Sequence, residues 1–309
     1  MRTNNNILTR GILSTCVLII AAMLALGFSS CGEEKPQQEP DSLTTTPEGG
    51  LEVETIRLLS YNILEGMKED KTNNYDNFVA WMNEIDPDIF AIQEANKLTD
   101  EILGTLAARF GHQYIQTNIK AGDNYPVAMT SKYPIELVRK ITQNVSHGAV
   151  HVRIKGVSIV NLHLWPQGYG EDGPGGTDTG DAYRLREINT FLDQTIRRLP
   201  LEEKWLMMGD FNASSPADKD DLTGGANRNY DVHNTVLNAG YVDAMRYMYP
   251  NYFVNTTPTG MNPLANPVRI DFIYGTQSMM RYITHASTVT DYFTEIKSDH
   301  YPVTVSSTH

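Results

Sequence analysis

The sequence predicts an α/β fold in which stacked sheets are flanked by helices. Three observations lead there. Short β-rich runs recur along the chain, amphipathic helical patterns sit between the early ones, and from residue 113 to 164 strand patterns follow one another with no convincing helix between them. This mixed order does not fit a barrel of alternating strands and helices. No internal repeat on the scale of roughly 20–50 residues points to a solenoid.

From the N-terminal side, "IRLLSYNI" (56–63) reads as the first strand. "NFVAWMNEI" (77–85) brings Phe78, Trp81, Met82 and Ile85 to one helical face, and Pro87 stops it. "DIFAIQ" (88–93) is a buried strand. "LTDEILGTLAARFG" (98–111) is an amphipathic helix with Thr99 placed to cap it and Gly111 to end it. Strands are expected around 113–119, 126–130, 135–144, 149–155 and 157–164. A Gly-rich loop (168–180), a helix (183–198) and the apolar strand "KWLMMG" (204–209) follow. After a long irregular stretch come final strands near 268–275 and 300–305.

Residues 1–30 stand apart. Arg2 and Arg10 precede an apolar run at 12–28, then small residues and Cys31, the pattern of a secretory signal whose apolar run is short for a membrane span. "FSSC" resembles the lipobox of bacterial lipoproteins, with Phe28 where Leu is usual. The resemblance implies that Cys31 is the lipid-modified first residue of the mature chain, anchoring it to the cell envelope. Glu33 and Glu34 resemble surface-export signals of Bacteroidetes lipoproteins, which implies an outer-membrane, surface-exposed location. Residues 31–54 are polar and Pro-rich, a disordered tether, and 55–309 form one large domain, expected to be monomeric. Cys16 leaves with the signal and Cys31 is acylated, so no disulfide is available. Removing Arg2 and Arg10 takes the net charge from −12 to −14, which disfavours nonspecific grip on nucleic acid.

Polar residues recur at the predicted strand ends. "SYNI" carries Asn62, "AIQEA" Gln93 and Glu94, "VNLHLWP" Asn161 and His163, "MGDFNA" Asp210 and Asn212, "RIDFIY" Arg269 and Asp271, and "KSDHYPV" Asp299 and His300. In an extended segment residues i and i+2 share a face, so Asp210 and Asn212 are expected to point together beyond the strand. Buried polar groups need partners, and convergence on one cleft at the sheet edge supplies them economically. Carboxylates and amides without a thiolate suit a hard cation, Mg²⁺ or Mn²⁺. No HExxH stretch marks a zinc protease. A divalent ion, two His and several amides are what hydrolysis of a phosphoester requires.

In order and spacing these motifs, GDFN, RIDFIY and SDH above all, resemble the endonuclease/exonuclease/phosphatase superfamily, the fold of DNase I, neutral sphingomyelinases and inositol polyphosphate 5-phosphatases. The resemblance covers about 57–306 and implies a four-layer α/β/β/α sandwich with the site at one edge of two packed sheets. It further implies Glu94 as the principal Mg²⁺ ligand, with Asn62 and Asp299 beside it. Asp210 would activate the attacking water, Asn212 would hydrogen-bond the phosphoryl group, and His300 would contact the phosphate and assist proton transfer with Asp271 fixing its tautomer. "NLHLW" is similar to the branch with His on this strand, where abasic-site repair enzymes carry Tyr; His163 would contact the phosphate and protonate the leaving oxygen. The implied activity is a phosphodiesterase, nuclease or phosphatase acting on nucleic acid, phospholipid or small phosphates. The alternative is a non-catalytic ligand-binding lipoprotein of the same fold, which the loss of a site residue would signal; Asn62, Glu94, Asp210, Asn212, Asp271, Asp299 and His300 are all present.

Weaker features carry blander readings. His147 and His151, four apart, would share one face of a strand, as a metal pair or a strand-pairing surface. The loop "GYGEDGPGGTDTG" lacks the ending of a phosphate-binding P-loop. Its acids Glu171, Asp172, Asp178 and Asp181 could hold a structural Ca²⁺, and its place after His163 makes it a rim of the site. Arg184 and Arg186 would either reach a phosphate or lie on a solvated face.

Overall fold

Two six-stranded mixed sheets pack face to face, each covered on its outer side by helices. The computed structural model describes residues 54–198, 203–261 and 266–308. The expected signal, Cys31 and all but the last residue of the tether lie outside these described residues. The strands are β1 (Thr55–Asn62), β2 (Ile89–Gln93), β3 (Tyr114–Thr117), β4 (Ala128–Ser131), β5 (Glu136–Ile141) and β6 (Ala149–Ile154), then β7 (Val157–His163), β8 (Trp205–Asp210), β9 (Tyr241–Asp243), β10 (Asp271–Thr276), β11 (Ile283–Thr288) and β12 (Val303–Thr308). One sheet runs β11-β12-β1-β2-β4-β3, the other β5-β6-β7-β8-β10-β9.

Strand alternation sorts the side chains into three apolar layers. Ile56, Leu58, Ile89 and Ala91 of one sheet meet Ile159, Leu206, Met208 and Ile273 of the other between the sheets. The opposite faces of the same strands, Leu59, Tyr61, Phe90 and Ile92, pack under Phe78, Trp81 and Met82 of the helix Asp76–Ile85 and Leu103 and Leu106 of the helix Asp100–Ala108. Val160, Leu162, Met207 and Phe272 pack under Ile188, Phe191 and Leu192 of the helix Gly180–Gln194 and Val232 and Val236 of the helix Asp231–Asn238. The result is the expected α/β/β/α stack.

The same alternation positions the site. Asn62 and Gln93 share parity with Leu58 and Ala91, His163 with Ile159, Asp210 with Met208, and Asp271 with Ile273, so all five belong to the inter-sheet faces. β1 and β2 are parallel, as are β7 and β8, so their C-terminal ends lie side by side. β10 is antiparallel to β8 and pairs Asp271 with Asp210, while β12 is antiparallel to β1. C-terminal ends of four strands and N-terminal ends of two therefore meet at one edge.

Several expectations shift in detail. Thr99 does cap its helix, its hydroxyl accepting from Ile102 N at 3.3 Å. The helix expected at 183–198 begins at Gly180, because Thr179 accepts from Ala182 N and caps it inside the Gly-rich stretch. The irregular stretch contains the helix Asp231–Asn238, β9 and the helix Ala244–Met248, all too short for periodicity to announce. β11, "ITHAST", lies unforeseen at a sheet edge, with few apolar residues. β12 starts at Val303 rather than 300, since Ser298 is tied to Asn62 O at 2.6 Å and to His300 N at 3.2 Å, which holds 298–302 as a loop. No helix among the described residues is long and apolar enough to cross a membrane.

Candidate active site

Asn62 is the hub of the polar edge. Its Nδ2 donates to Asp210 Oδ2 at 3.1 Å and to Glu94 Oε1 at 3.2 Å, and lies 3.4 Å from His300 Nε2. Its Oδ1 accepts from Leu64 N at 3.1 Å, so in this arrangement Asn62 joins the two carboxylates while its own oxygen is occupied. Glu94 also accepts from Glu65 N at 2.8 Å. His300 Nδ1 lies 2.9 Å from Asp271 Oδ2, and its Nε2 lies 3.7 Å from Asp210 Oδ2. His163 Nε2 approaches the same Asp210 oxygen to 3.5 Å. That approach depends on Gly209 (φ +138°), where a Cβ would stand 1.9 Å from Leu162 O on the neighbouring strand.

Asp210 and Asn212 do come together, but through a turn rather than through alternation. Asn212 has left the strand with φ +47°. Its backbone N–H donates to Asp210 Oδ1 at 2.8 Å, and its Nδ2 donates to Asp210 Oδ2 at 3.1 Å and Leu164 O at 3.0 Å. Asp299 is exposed and lines the same cleft of about 340 Å³ as Glu94, His163 and Trp165. Among the described residues lining that cleft there is no Lys or Arg.

Burial dominates the electrostatics. It pushes the Asp210 carboxyl up to about 7; His300 opposes the shift and Asp271 adds to it. Burial works against a charge on His300 too, but the Asp271 and Asp210 carboxylates outweigh it and hold the imidazole well above its usual range. Burial, then the neighbouring imidazoles His147 and His300, drive His163 well below that range, against a smaller opposing pull from the Tyr125 backbone. Ligand atoms of Asp210, Asp271 and His300 lie within 4.8 Å of one another, a set able to hold a metal ion. Asp271 Oδ1 is buried without a protein partner. The oxygen-rich donors fit a hard divalent cation.

Other expected site residues turn out to support the edge or to lie apart from it. Gln93 Nε2 donates to Asn161 Oδ1 at 2.7 Å, and Asn161 Nδ2 donates to Ile92 O and Ala128 O, so this pair pins the two sheets together beneath the cleft. Arg269 is bound to Asp218 and Asp243. The Gly-rich loop does not gather its acids for Ca²⁺. Asp172 accepts from the backbone of Thr177 and Asp178, Asp178 pairs with Arg186, and Asp181 pairs with Arg184. Arg184 is buried and also donates to Trp165 O and Gln167 O, which fixes the rim. His147 and His151 do not share a face, because Gly148 (φ +79°) breaks the alternation between them. His151 packs on Trp205, whereas His147 lines the cleft.

Sequence reading missed two residues that shape this cleft. Glu187, fully buried, accepts from Ser146 N and Oγ at 2.6 Å each and from Trp165 N at 2.8 Å. Asp123 lies 2.9 Å from His147 Nδ1. Neither stands at a strand end, so the pattern that exposed the others passes over them.

The sequence pattern described as the endonuclease/exonuclease/phosphatase family matches residues 59–300. Comparison with curated proteins gives no match. Among solved structures, the chain is similar to an AP endonuclease from Archaeoglobus fulgidus, with 19% identity and a TM-score of 0.64 over 81% of this chain and 98% of the other. It is also similar to a 3'-5' exonuclease from Neisseria meningitidis, with 18% identity and a TM-score of 0.62 over the same shares, 81% and 98%. At these identities the likeness is one of fold.

Proposed function

The chain belongs to the endonuclease/exonuclease/phosphatase family, metal-dependent enzymes that hydrolyse phosphoester bonds, and from that premise we propose that it is a Mg²⁺-dependent hydrolase of small phosphoesters attached to the cell envelope. The observation that carries the chemistry is the Asn62 hub, which sets Glu94, Asp210 and the His300–Asp271 pair around one point. Glu94, with Asp299 and Asn62 beside it, would hold the cation. When bound, Mg²⁺ supplies positive charge that offsets the charge growing on the phosphoryl oxygens.

The residues of this chain do the rest. Asp210, poised near neutrality by burial, accepts a proton from the attacking water. His163 faces the phosphoryl group from the end of β7, and Asn212 must release Asp210 or Leu164 O to hydrogen-bond it. His300, kept in one tautomer by Asp271, donates Nε2–H toward the phosphate. Asp271 acts only through His300.

The cleft lining favours a small substrate. A polymer held by its backbone calls for several cations along its path. Here Trp165, Tyr169 and Tyr125 offer ring faces and edges, and the charged lining residues Glu65, Glu94 and Asp299 are acidic. Hydrolysis of small diesters, sugar phosphates, phospholipid headgroups, plasmid DNA and RNA by the full chain should be compared with Mg²⁺ and with excess chelator. Activity on small phosphoesters that chelator abolishes and Mg²⁺ or Mn²⁺ restores is expected. Persistence in chelator would sink the metal assignment, and a preference for polymers would make the enzyme a nuclease. For the envelope, Cys31→Ser should release an active soluble chain; a variant still pelleting with membranes would refute the lipid anchor.

A further inference from the structure

A second Asp–His pair stands at the cleft that Glu94, His163 and Asp299 line, with His147 in its wall. Asp123 Oδ1 lies 2.9 Å from His147 Nδ1 and also accepts from Tyr125 N at 2.9 Å. The two side chains are only 3% and 8% exposed. With Nδ1–H committed to a carboxylate, Nε2 is the atom left for the cleft that His147 lines together with Glu94 and His163.

The imidazole is held on several sides. It stacks on His163 at 4.5 Å and 27°, has Trp165 in a roughly parallel plane at 6.2 Å, and meets the edge of Tyr125 at 5.3 Å. Glu187 clamps Ser146 on one side and Trp165 on the other. The backbone is fixed too. A Cβ at Gly148 would stand 2.4 Å from Ile141 O, so the left-handed turn that aims His147 at the cleft requires glycine.

His163 is less well equipped to deliver a proton. Among the described residues the one carboxylate within 4 Å of it is Asp210, which the hydrolytic reading uses for the water. Burial and two imidazoles also disfavour its charged form.

We propose that His147, oriented by Asp123, is a further catalytic residue that donates the proton taken by the leaving oxygen. The inference rests on the phosphoester-hydrolase reading. The water oxygen forms a bond to phosphorus and loses a proton to Asp210. The bond from phosphorus to the leaving oxygen breaks, its electron pair stays on that oxygen, and the oxygen takes the proton from His147 Nε2. Neutral His147 then regains a proton from solvent.

A general acid matters most when the leaving group is poor. The full chain with Mg²⁺ should therefore be assayed on methyl aryl phosphates from p-nitrophenyl to phenyl, as wild type, His147→Ala, His147→Gln and Asp123→Asn. His147→Ala should lose roughly 10²-fold in kcat/KM on the phenyl ester and no more than about 3-fold on the p-nitrophenyl ester. Asp123→Asn should show the same slope more weakly. Equal losses across the series in both folded His147 variants, or no loss, would overturn the proposal while leaving the hydrolase reading intact. If His147→Ala does not fold, His147→Gln decides. Wild type inert to every ester would overturn both.

Discussion

Arg269 and Asp271 are two residues apart, yet each belongs to a different cluster of buried charge. Arg269 donates to Asp218 at 2.8 and 2.9 Å and to Asp243 at 2.6 and 3.2 Å, while Arg246 reaches Asp218 at 2.6 Å and Asp221 at 2.8 Å. The Arg269 guanidinium also lies over the Phe272 ring at 4.4 Å. Burial works against its charge, but Asp243 and Asp218 outweigh that and keep it protonated. Asp271, in contrast, faces a titratable imidazole and keeps one buried oxygen unpartnered. Permanent cations make the first cluster a brace. Groups that exchange protons, left partly unsatisfied, make the second a site for chemistry. Buried carboxylates alone do not mark function; what they face does.

The contrast breaks most sharply at Asp210. Asp210→Asn removes the proton acceptor while keeping nearly the same shape. We expect kcat on the best phosphoester substrate to fall by roughly 10²–10⁴-fold with KM within a few-fold, the signature of an interaction made mainly in the transition state. Steady-state kinetics on the folded variant checks this, and a loss confined to KM would move Asp210 to binding.

The brace should fail in the opposite way. Asp218→Ala leaves Asp221 as the carboxylate facing Arg246 and Asp243 as the one facing the buried Arg269. Breaking a buried ion cluster from one side typically costs about 3–5 kcal/mol, because a charge is left uncompensated. Urea unfolding should show a loss on that scale, with kcat per folded molecule nearly unchanged. A variant of wild-type stability but lost activity would erase the distinction between the clusters.

The sequence made the proposed catalytic cluster legible and the brace illegible. Asp210 and Asp271 stand on strands whose alternation is strong, so Met208 and Ile273 declare which face they take. Asp218 lies in the short turn Pro216–Asp218, where no periodicity exists, and Arg269 precedes its strand, so its partners could not be read. The layers followed from the apolar patterns, whereas β11 and the helix Ala244–Met248 are too short or too polar to show one. His147 was misread because a single left-handed glycine, Gly148, undoes the two-residue period on which its placement depended.

The smallest effect concerns buried imidazoles that lack the carboxylate His300 has. His233 Nε2–H donates to Ala213 O at 2.9 Å, so its Nδ1, 2.7 Å from Tyr274 Oη, is the acceptor of the neutral ring. Burial pushes this imidazole down to about 4, against about 6.5 when exposed. The unfolded chain therefore binds a proton over that interval that the folded chain refuses. Stability from His233 is complete above roughly pH 6.5, declines as pH falls and levels off near 4, amounting to about 3 kcal/mol. His233→Gln keeps a donor for Ala213 and an acceptor for Tyr274 without a titrating ring. Urea midpoints for wild type and this variant, followed from pH 7 to 4.5, should converge as the pH drops. Parallel curves would mean that His233 takes up its proton as readily in the folded protein as in the unfolded chain, and its contrast with His300 would then be one of degree only.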